Sequence, residues 1–256
     1  MRVIARVGVG LDSIDLPAAQ SRGIVVTTTP GANEAVVADH AVSLMLAMMR
    51  RVVENDASVR RGEWNRMGDL TPYDVDGATV GLIGLGKIGR SVARRLMGFP
   101  VHVIGYDPAV RVCPGVERVD EIAQLLTRSD VVSLHLPLTP ATRHLIGPAE
   151  LSQMRPDSIL INTARGGLID EEALVTCLER GTIRAAALDV FENEPPRGSQ
   201  LLSLPNVVLS PHIGGLSPRS VTAMLTLASR SVVEVLTGQQ PHNAISYPYQ
   251  VSGPSQ

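Results

Sequence analysis

From Thr79 onward, short runs rich in Val, Ile and Leu alternate with stretches whose apolar residues return at every third or fourth position. The runs predict strands over 79–83, 101–106, 131–136, 158–162, 183–188 and 207–209. The stretches between them predict helices over 88–97, 121–126, 149–154 and 171–180, the last capped by Asp170 and stopped by Gly181. Strands that are apolar throughout and joined by crossover helices are covered on both faces, so the pattern implies an α/β doubly wound parallel sheet. A long final helix, 218–237, is expected to stop at Gly238 and lead away from the sheet.

Ahead of Thr79 the pattern is different. The chain opens on an apolar strand, MRVIARV, which breaks at Gly8 and Gly10. After Pro30-Gly31, with Asn33 placed to cap, Val37, Ala41, Leu44 and Met48 repeat at helical spacing beside a second line, Ala38, Val42, Met45 and Met49. A helix apolar over most of its circumference must be buried on more than one side. This favours a subunit interface over burial in the core alone.

Composition narrows the class without naming a function. With 256 residues, 44% apolar and 19% charged, the chain has the make-up of a globular protein with a large core. A net charge of -2 supplies no field for nucleic acid or an anionic membrane, and neither partner is expected. The start is too short and too charged for a signal segment, and no apolar run is long enough to span a bilayer. Cys113 and Cys177 form no C-x-x-C, so no disulfide and no metal site are expected, and a reducing cytoplasmic location fits. The tail PYQVSGPSQ is expected to fray.

The first chemical signal is Gly84-Leu-Gly86-Lys87-Ile88-Gly89, a G-x-G-x-x-G that follows a strand and opens a helix. In that context the first glycine allows the turn, the second lets a pyrophosphate approach, and the third lets helix and strand pack closely. Eighteen residues after Gly89, Asp107 ends the next strand, where a carboxylate accepts from a ribose and repels a 2'-phosphate, so NAD is the expected cofactor. The opening Gly8-Val-Gly10 lacks a third glycine and fails as a phosphate loop.

Ligands of a doubly wound sheet bind past the carboxyl ends of its strands. Three ends carry reactive residues: Arg165 in NTARGG, Glu194 in DVFENEP and His212 in SPHIGG. Together they suit oxidation of a hydroxyl beside a carboxylate. Arginine grips the carboxylate in two parallel hydrogen bonds, histidine takes the hydroxyl proton, and glutamate fixes the tautomer and favours the imidazolium.

These segments, with VGVGLDSIDL, GLIGLGKIG, GYDP and HLPLTPATRHLI, resemble the D-isomer-specific 2-hydroxyacid dehydrogenases over essentially the whole chain to about Ser246. The resemblance implies that Arg165 binds substrate while Glu194 and His212 form the acid–base pair. It places Lys87 and Ile88 against the cofactor phosphates, Asp189 at the nicotinamide carboxamide, and Val9, Leu136, Ala164, Arg165, His212, Gly214 and Gly215 along the cofactor. Val7, Gly8, Val9 and Gly10 would face the substrate, a small 2-hydroxy or 2-oxo acid with 3-phosphoglycerate foremost, and the family also implies a homodimer built partly on the Asn33 helix.

By this resemblance residues 1–30 are the remnant of a flavodoxin-like substrate domain, 31–218 the Rossmann-type NAD domain, and 219–256 a return helix and tail. About seventy residues of the family pattern, a large part of an ordinary domain, are expected to be absent ahead of Met1. The opening strand would then lack neighbours and leave its edge exposed. Two functions stay open: a dehydrogenase, or an NAD-binding module without turnover, like the corepressors that share this fold. His40, His102, His144 and His242 draw no role from their surroundings in the sequence, and for His135 strand-end packing is as good a reading as a place at the cofactor edge.

Overall fold

The computed structural model describes residues 1–64 and 66–245; the tail expected to fray, 248–256, lies outside them. Met1–Val36 together with the described residues from Gly215 on form one compact unit, and Val37–Gly214 form another. In chain order the elements are β1 (Val3–Ala5), α1 (Leu16–Ser21), β2 (Val25–Thr27), α2 (Glu34–Met49), α3 (Val52–Arg60), β3 (Thr79–Ile83), α4 (Lys87–Leu96), β4 (His102–Tyr106), β5 (Glu117–Arg118), α5 (Ile122–Arg128), β6 (Val131–Leu134), α6 (Pro148–Gln153), β7 (Ile159–Asn162), α7 (Glu171–Glu179), β8 (Ala185–Leu188), β9 (Val207–Leu209) and α8 (Pro218–Leu236). No helix among the described residues is long and apolar enough to cross a membrane.

The larger unit is built on a seven-stranded sheet of order β5-β4-β3-β6-β7-β8-β9, parallel throughout. From β3 the chain winds outward through β4 and β5, then returns to β6 and winds the other way. The reversal between β3 and β6 opens a crevice at their carboxyl ends. Side chains alternate between the two faces, as the period of a strand requires. Val80, Leu82, Ile159, Ile161, Ala185 and Ala187 join the core formed with α2 and α4. Ile83, Leu160, Ala186 and Leu188 join the opposite core, with Leu125, Leu151 and Leu174 of α5, α6 and α7.

Most predicted elements shift only at their ends: β6 stops at Leu134, so His135 and Leu136 lie past the strand, and β8 starts at Ala185. The pattern did not single out β2 or β5, which are three and two residues long, or the charged helix α3. Two expectations about α2 change. Val37, Ala38, Ala41, Val42, Leu44, Met45, Met48 and Met49 are buried within this chain, so the core alone covers these positions and an interface through this helix would use the residues that remain. Asn33 is also no cap, because its side-chain oxygen is buried and accepts no hydrogen bond. Glu34 instead accepts the Gly31 N–H at 2.7 Å.

In the smaller unit β1 has a neighbour, contrary to expectation. It pairs in parallel with β2, Val3 opposite Val25 and Ala5 opposite Thr27. Val26 and Ala19 are buried in a small core with Ile4, Leu11, Ile14 and Leu16. The Asp15 side chain caps α1 by accepting the Ala18 N–H at 2.9 Å. Arg2 reaches the carbonyls of Val235 and Leu236 at the end of α8, which ties the first residues to the last described helix.

Candidate active site

The Gly84–Gly89 loop joins β3 to α4 at the crevice, and its glycines are required for different reasons. Gly84 has φ +96, and a Cβ there would lie 2.6 Å from the His135 carbonyl oxygen. A Cβ on Gly89 would lie 2.0 Å from the Gly84 carbonyl oxygen, so only glycine lets α4 start this close to the turn. Gly86 differs, with nothing within 4 Å of its Cβ position. It begins α4 without a side-chain cap. Open space beside an uncapped helix N-terminus suits a pyrophosphate, which the helix dipole and the first N–H groups would hold.

Asp107 lies past β4 and does more than wait for a ribose. One carboxylate oxygen accepts the Leu85 N–H at 2.8 Å. The other accepts from Ala109 at 2.8 Å and Val110 at 3.0 Å. Asp107 therefore braces the phosphate loop from the side where a ribose would sit. His135, past β6, is packed under the same loop, and both of its ring nitrogens are buried with no hydrogen-bond partner. Burial pulls its pKa down to about 4, so the ring is neutral at pH 7.

The histidine proposed for acid–base work lies past β9. His212 has φ +53, a left-handed conformation that costs a non-glycine residue about 1 kcal/mol or more. The loop holds it there from below. The His212 N–H donates to the Asp189 carbonyl at 2.8 Å. The Asp189 carboxylate accepts from Ile213 N–H at 2.9 Å, Gly214 N–H at 2.7 Å and the Ser210 hydroxyl at 2.6 Å. His40 Nε2 lies 3.0 Å from the same hydroxyl and 3.4 Å from Asp189 Oδ1. Burial works to raise the Asp189 carboxyl, but these partners outweigh it and hold the group below the usual carboxylate range. Asp189 is 1% exposed, and its carboxylate anchors the His212 loop. With its loop held in this way, His212 presents Nδ1 to Glu194 Oε2 at 2.7 Å.

Arg165 follows β7 on a turn set by Asn162, a fully buried residue. The Asn162 side chain accepts from Ala164 N–H at 3.0 Å and donates to the Arg165 carbonyl at 2.8 Å. The turn packs directly on the loop that carries Glu194, since a Cβ on Gly166 would lie 1.8 Å from the Phe191 carbonyl carbon. Arg165 and the Glu194–His212 pair are thus built on adjoining loops of one unit.

The model of the D-isomer specific 2-hydroxyacid dehydrogenase NAD-binding domain matches residues 42–214, which contain all of these residues except His40. The chain belongs to this dehydrogenase family. A D-3-phosphoglycerate dehydrogenase of Methanocaldococcus jannaschii is 44% identical over 252 residues, 97% of this chain and 48% of the relative, so the chain spans about half of that protein's length. A glyoxylate reductase of Thermofilum pendens is 44% identical over 250 residues, 94% of this chain and 74% of the relative. The crystal structure of the TT0316 protein from Thermus thermophilus superposes with a TM-score of 0.90 at 42% identity, covering 96% of this chain and 79% of that one.

Other residues that the sequence singled out in this family member are placed as follows. Leu136 and Ala164 pack at the margin of the apolar cluster on the α5–α7 side of the sheet. Gly214 closes the larger unit, and a Cβ on it would meet Asp189 Oδ2 at 2.8 Å. Gly215 opens the second segment of the smaller unit, where its Cβ position faces the Asn33 amide at 2.7 Å. Val7 to Gly10 also belong to that unit. Val7 and Val9 are 37% and 39% exposed, and Gly8 donates to Thr29 Oγ1 at 2.8 Å and accepts the Thr29 N–H at 2.9 Å.

The sequence offered no route to His40, because it meets Asp189 across about 150 residues of chain, whereas Ser210 opens the SPHIGG segment and was within reach. Asn162 could have been found, since it sits inside the NTARGG segment.

Proposed function

We propose that this chain is an NAD-dependent oxidoreductase that transfers a hydride between the cofactor and C2 of a D-2-hydroxy acid and 2-oxo acid pair. The Glu194–His212 hydrogen bond carries the reading. It commits Nδ1 of the imidazole, so proton exchange with the substrate hydroxyl falls to Nε2. In the oxidising direction Nε2 accepts the hydroxyl proton, Arg165 holds the carboxylate, and the C2–H bond breaks as the carbonyl forms. NAD supplies the two-electron acceptor for the departing hydride. Gly84, Gly86, Lys87, Ile88 and Gly89 would hold its pyrophosphate and Asp107 its ribose. Val9, Leu136, Ala164, Asp189, Gly214 and Gly215 would line the rest, and Val7 to Gly10 would meet the substrate.

The leading substrate is 3-phosphoglycerate. Glyoxylate is the second candidate, supported by the equal identity to a glyoxylate reductase. In domain terms, 31–218 are assigned to the cofactor and 1–30 with 219–256 to the substrate side; the compact units divide a few residues away, after Val36 and Gly214. The active form is proposed to be a homodimer through the Asn33 helix.

Steady-state NADH oxidation with phosphohydroxypyruvate, hydroxypyruvate, glyoxylate and pyruvate tests the activity, and calorimetry with NAD tests the cofactor. Turnover of a 2-oxo acid that is lost in His212→Asn is expected. NAD binding with no turnover on any of the four would replace this reading with a binding module, and no NAD binding would remove both.

A further inference from the structure

We propose that Glu171, Glu192 and His144 form a second carboxylate–histidine group whose task is to position Glu194 against His212, an assignment that rests on the acid–base reading above. The three residues come from the first turn of α7, the loop past β8 and the connection between β6 and α6. Glu171 Oε1 accepts the Glu192 backbone N–H at 2.6 Å. One peptide earlier, the Phe191 N–H donates to Glu194 Oε1 at 3.2 Å, while the other oxygen of Glu194 meets His212. The backbone gripped by Glu171 is therefore the same backbone that orients the carboxylate facing the imidazole.

The Glu192 side chain turns to a different partner. It pairs with His144 Nε2, and Arg143 Nη2 lies 3.7 Å from the same oxygen. His144 is itself fixed by its backbone, which has φ +49 and donates to the Gly167 carbonyl at 2.8 Å. With Gly166 pressed on Phe191, the Arg165 turn, the Glu194 loop and the β6–α6 connection are locked together at Glu192.

The arrangement opposes ordinary electrostatics, which marks it as more than a chance turn. Burial, with the charges of Glu192 and Glu194, pushes the Glu171 carboxyl up, and only the hydrogen bond from Glu192 N–H works the other way. Glu171 stands beside two other carboxylates at the N-terminus of α7, and its one hydrogen bond to a neighbouring loop goes to the Glu192 peptide, which it fixes. Glu171, Glu192 and His144 are thus positioning residues, acting on the reaction through Glu194.

Amide hydrogen exchange and steady-state kinetics on the full chain test the clamp. Glu171→Ala is expected to speed exchange at Phe191 and Glu192 about tenfold, the effect of one lost hydrogen bond. It should lower kcat about tenfold while NADH affinity stays unchanged. Glu171→Gln keeps an oxygen acceptor for the Glu192 N–H and should restore both readouts. His144→Asn tolerates the same left-handed backbone but is too short to reach Glu192, and should move both readouts in the same direction even where Glu171→Ala fails to fold. Unchanged exchange at Phe191 and Glu192 in both Glu171→Ala and His144→Asn, or a Gln variant no better than Ala, overturns the clamp. A wild-type chain without turnover refutes the proposed dehydrogenase function, and the exchange measurement then decides the clamp by itself.

Discussion

Asp189→Asn separates an anchoring carboxylate from one that is merely adjacent to the reaction. Asp189 presents two oxygens to four donors: Ser210 Oγ, Ile213 N–H and, at longer range, His40 Nε2 on one, and Gly214 N–H on the other. Asparagine has only one oxygen. If that oxygen stays with Ser210 and Ile213, the new NH2 faces the Gly214 N–H, donor against donor. If it turns to Gly214, the Ile213 N–H is left instead. Either way one backbone N–H loses its acceptor, and the Gly214 group is buried. Such a loss costs about 1–3 kcal/mol. Asp189→Ala strands both amides and should cost about twice as much.

Urea unfolding measures this cost directly. With a slope near 3 kcal/mol/M, about what a chain of this size gives, Asp189→Asn should lower the midpoint by roughly 0.3–1 M. Because the anchored loop carries His212, turnover should fall in step, whereas NADH should still bind at the phosphate loop. The wild-type contribution has a defined pH dependence. A carboxyl held below its unfolded pKa stabilises the fold above that unfolded value, and the contribution disappears as pH falls through the lowered folded one. The Asn variant should lose that part of the acid sensitivity. An unchanged midpoint and an unchanged acid limb would show that the His212 loop is held by something else.

Gly166→Ala should force the Phe191 carbonyl away from the Arg165 turn, lowering kcat about tenfold or more and stability by about 1–3 kcal/mol, measured by kinetics and urea melts. Gly89→Ala, whose Cβ would meet the Gly84 carbonyl at 2.0 Å, should weaken NAD binding about tenfold in calorimetry. Asp107→Ala removes the brace on Leu85 as well as the ribose acceptor, so NAD affinity and the exchange protection of the Leu85 amide should fall together. His135 is neutral when folded and protonates more readily when unfolded, so stability should decline as pH drops from about 6.5 to about 4, by at most about 3 kcal/mol. His135→Leu should flatten that slope in urea melts at several pH values.

Some of the site was legible because its signals are local. The three glycines of the phosphate loop sit within one strand–turn–helix, and each requirement, turn, open space or close packing, acts within a few residues. Arg165, Glu194 and His212 were reachable by one further step, since a parallel sheet delivers the ends of its strands to one edge. The burial of α2 was legible only in part, for the opposite reason. Its apolar pattern records that the helix is buried on several sides, and gives no means to tell a sheet and a neighbouring helix of the same chain from a second subunit. The partner of β1 was missed because β2 is only three residues long and its pairing is non-local.

By itself the sequence determined the doubly wound order, the glycine loop and the strand-end side chains proposed to react, because periodicity, glycine spacing and strand-end position are properties of neighbouring residues. Only the tertiary structure decided how those side chains are held. It assigned Asp189 to the His212 loop, brought His40 to Asp189 across the chain, and set Glu171 and His144 around Glu192. Hydrogen bonds between distant segments depend on where folded loops come to lie, and no local pattern encodes them.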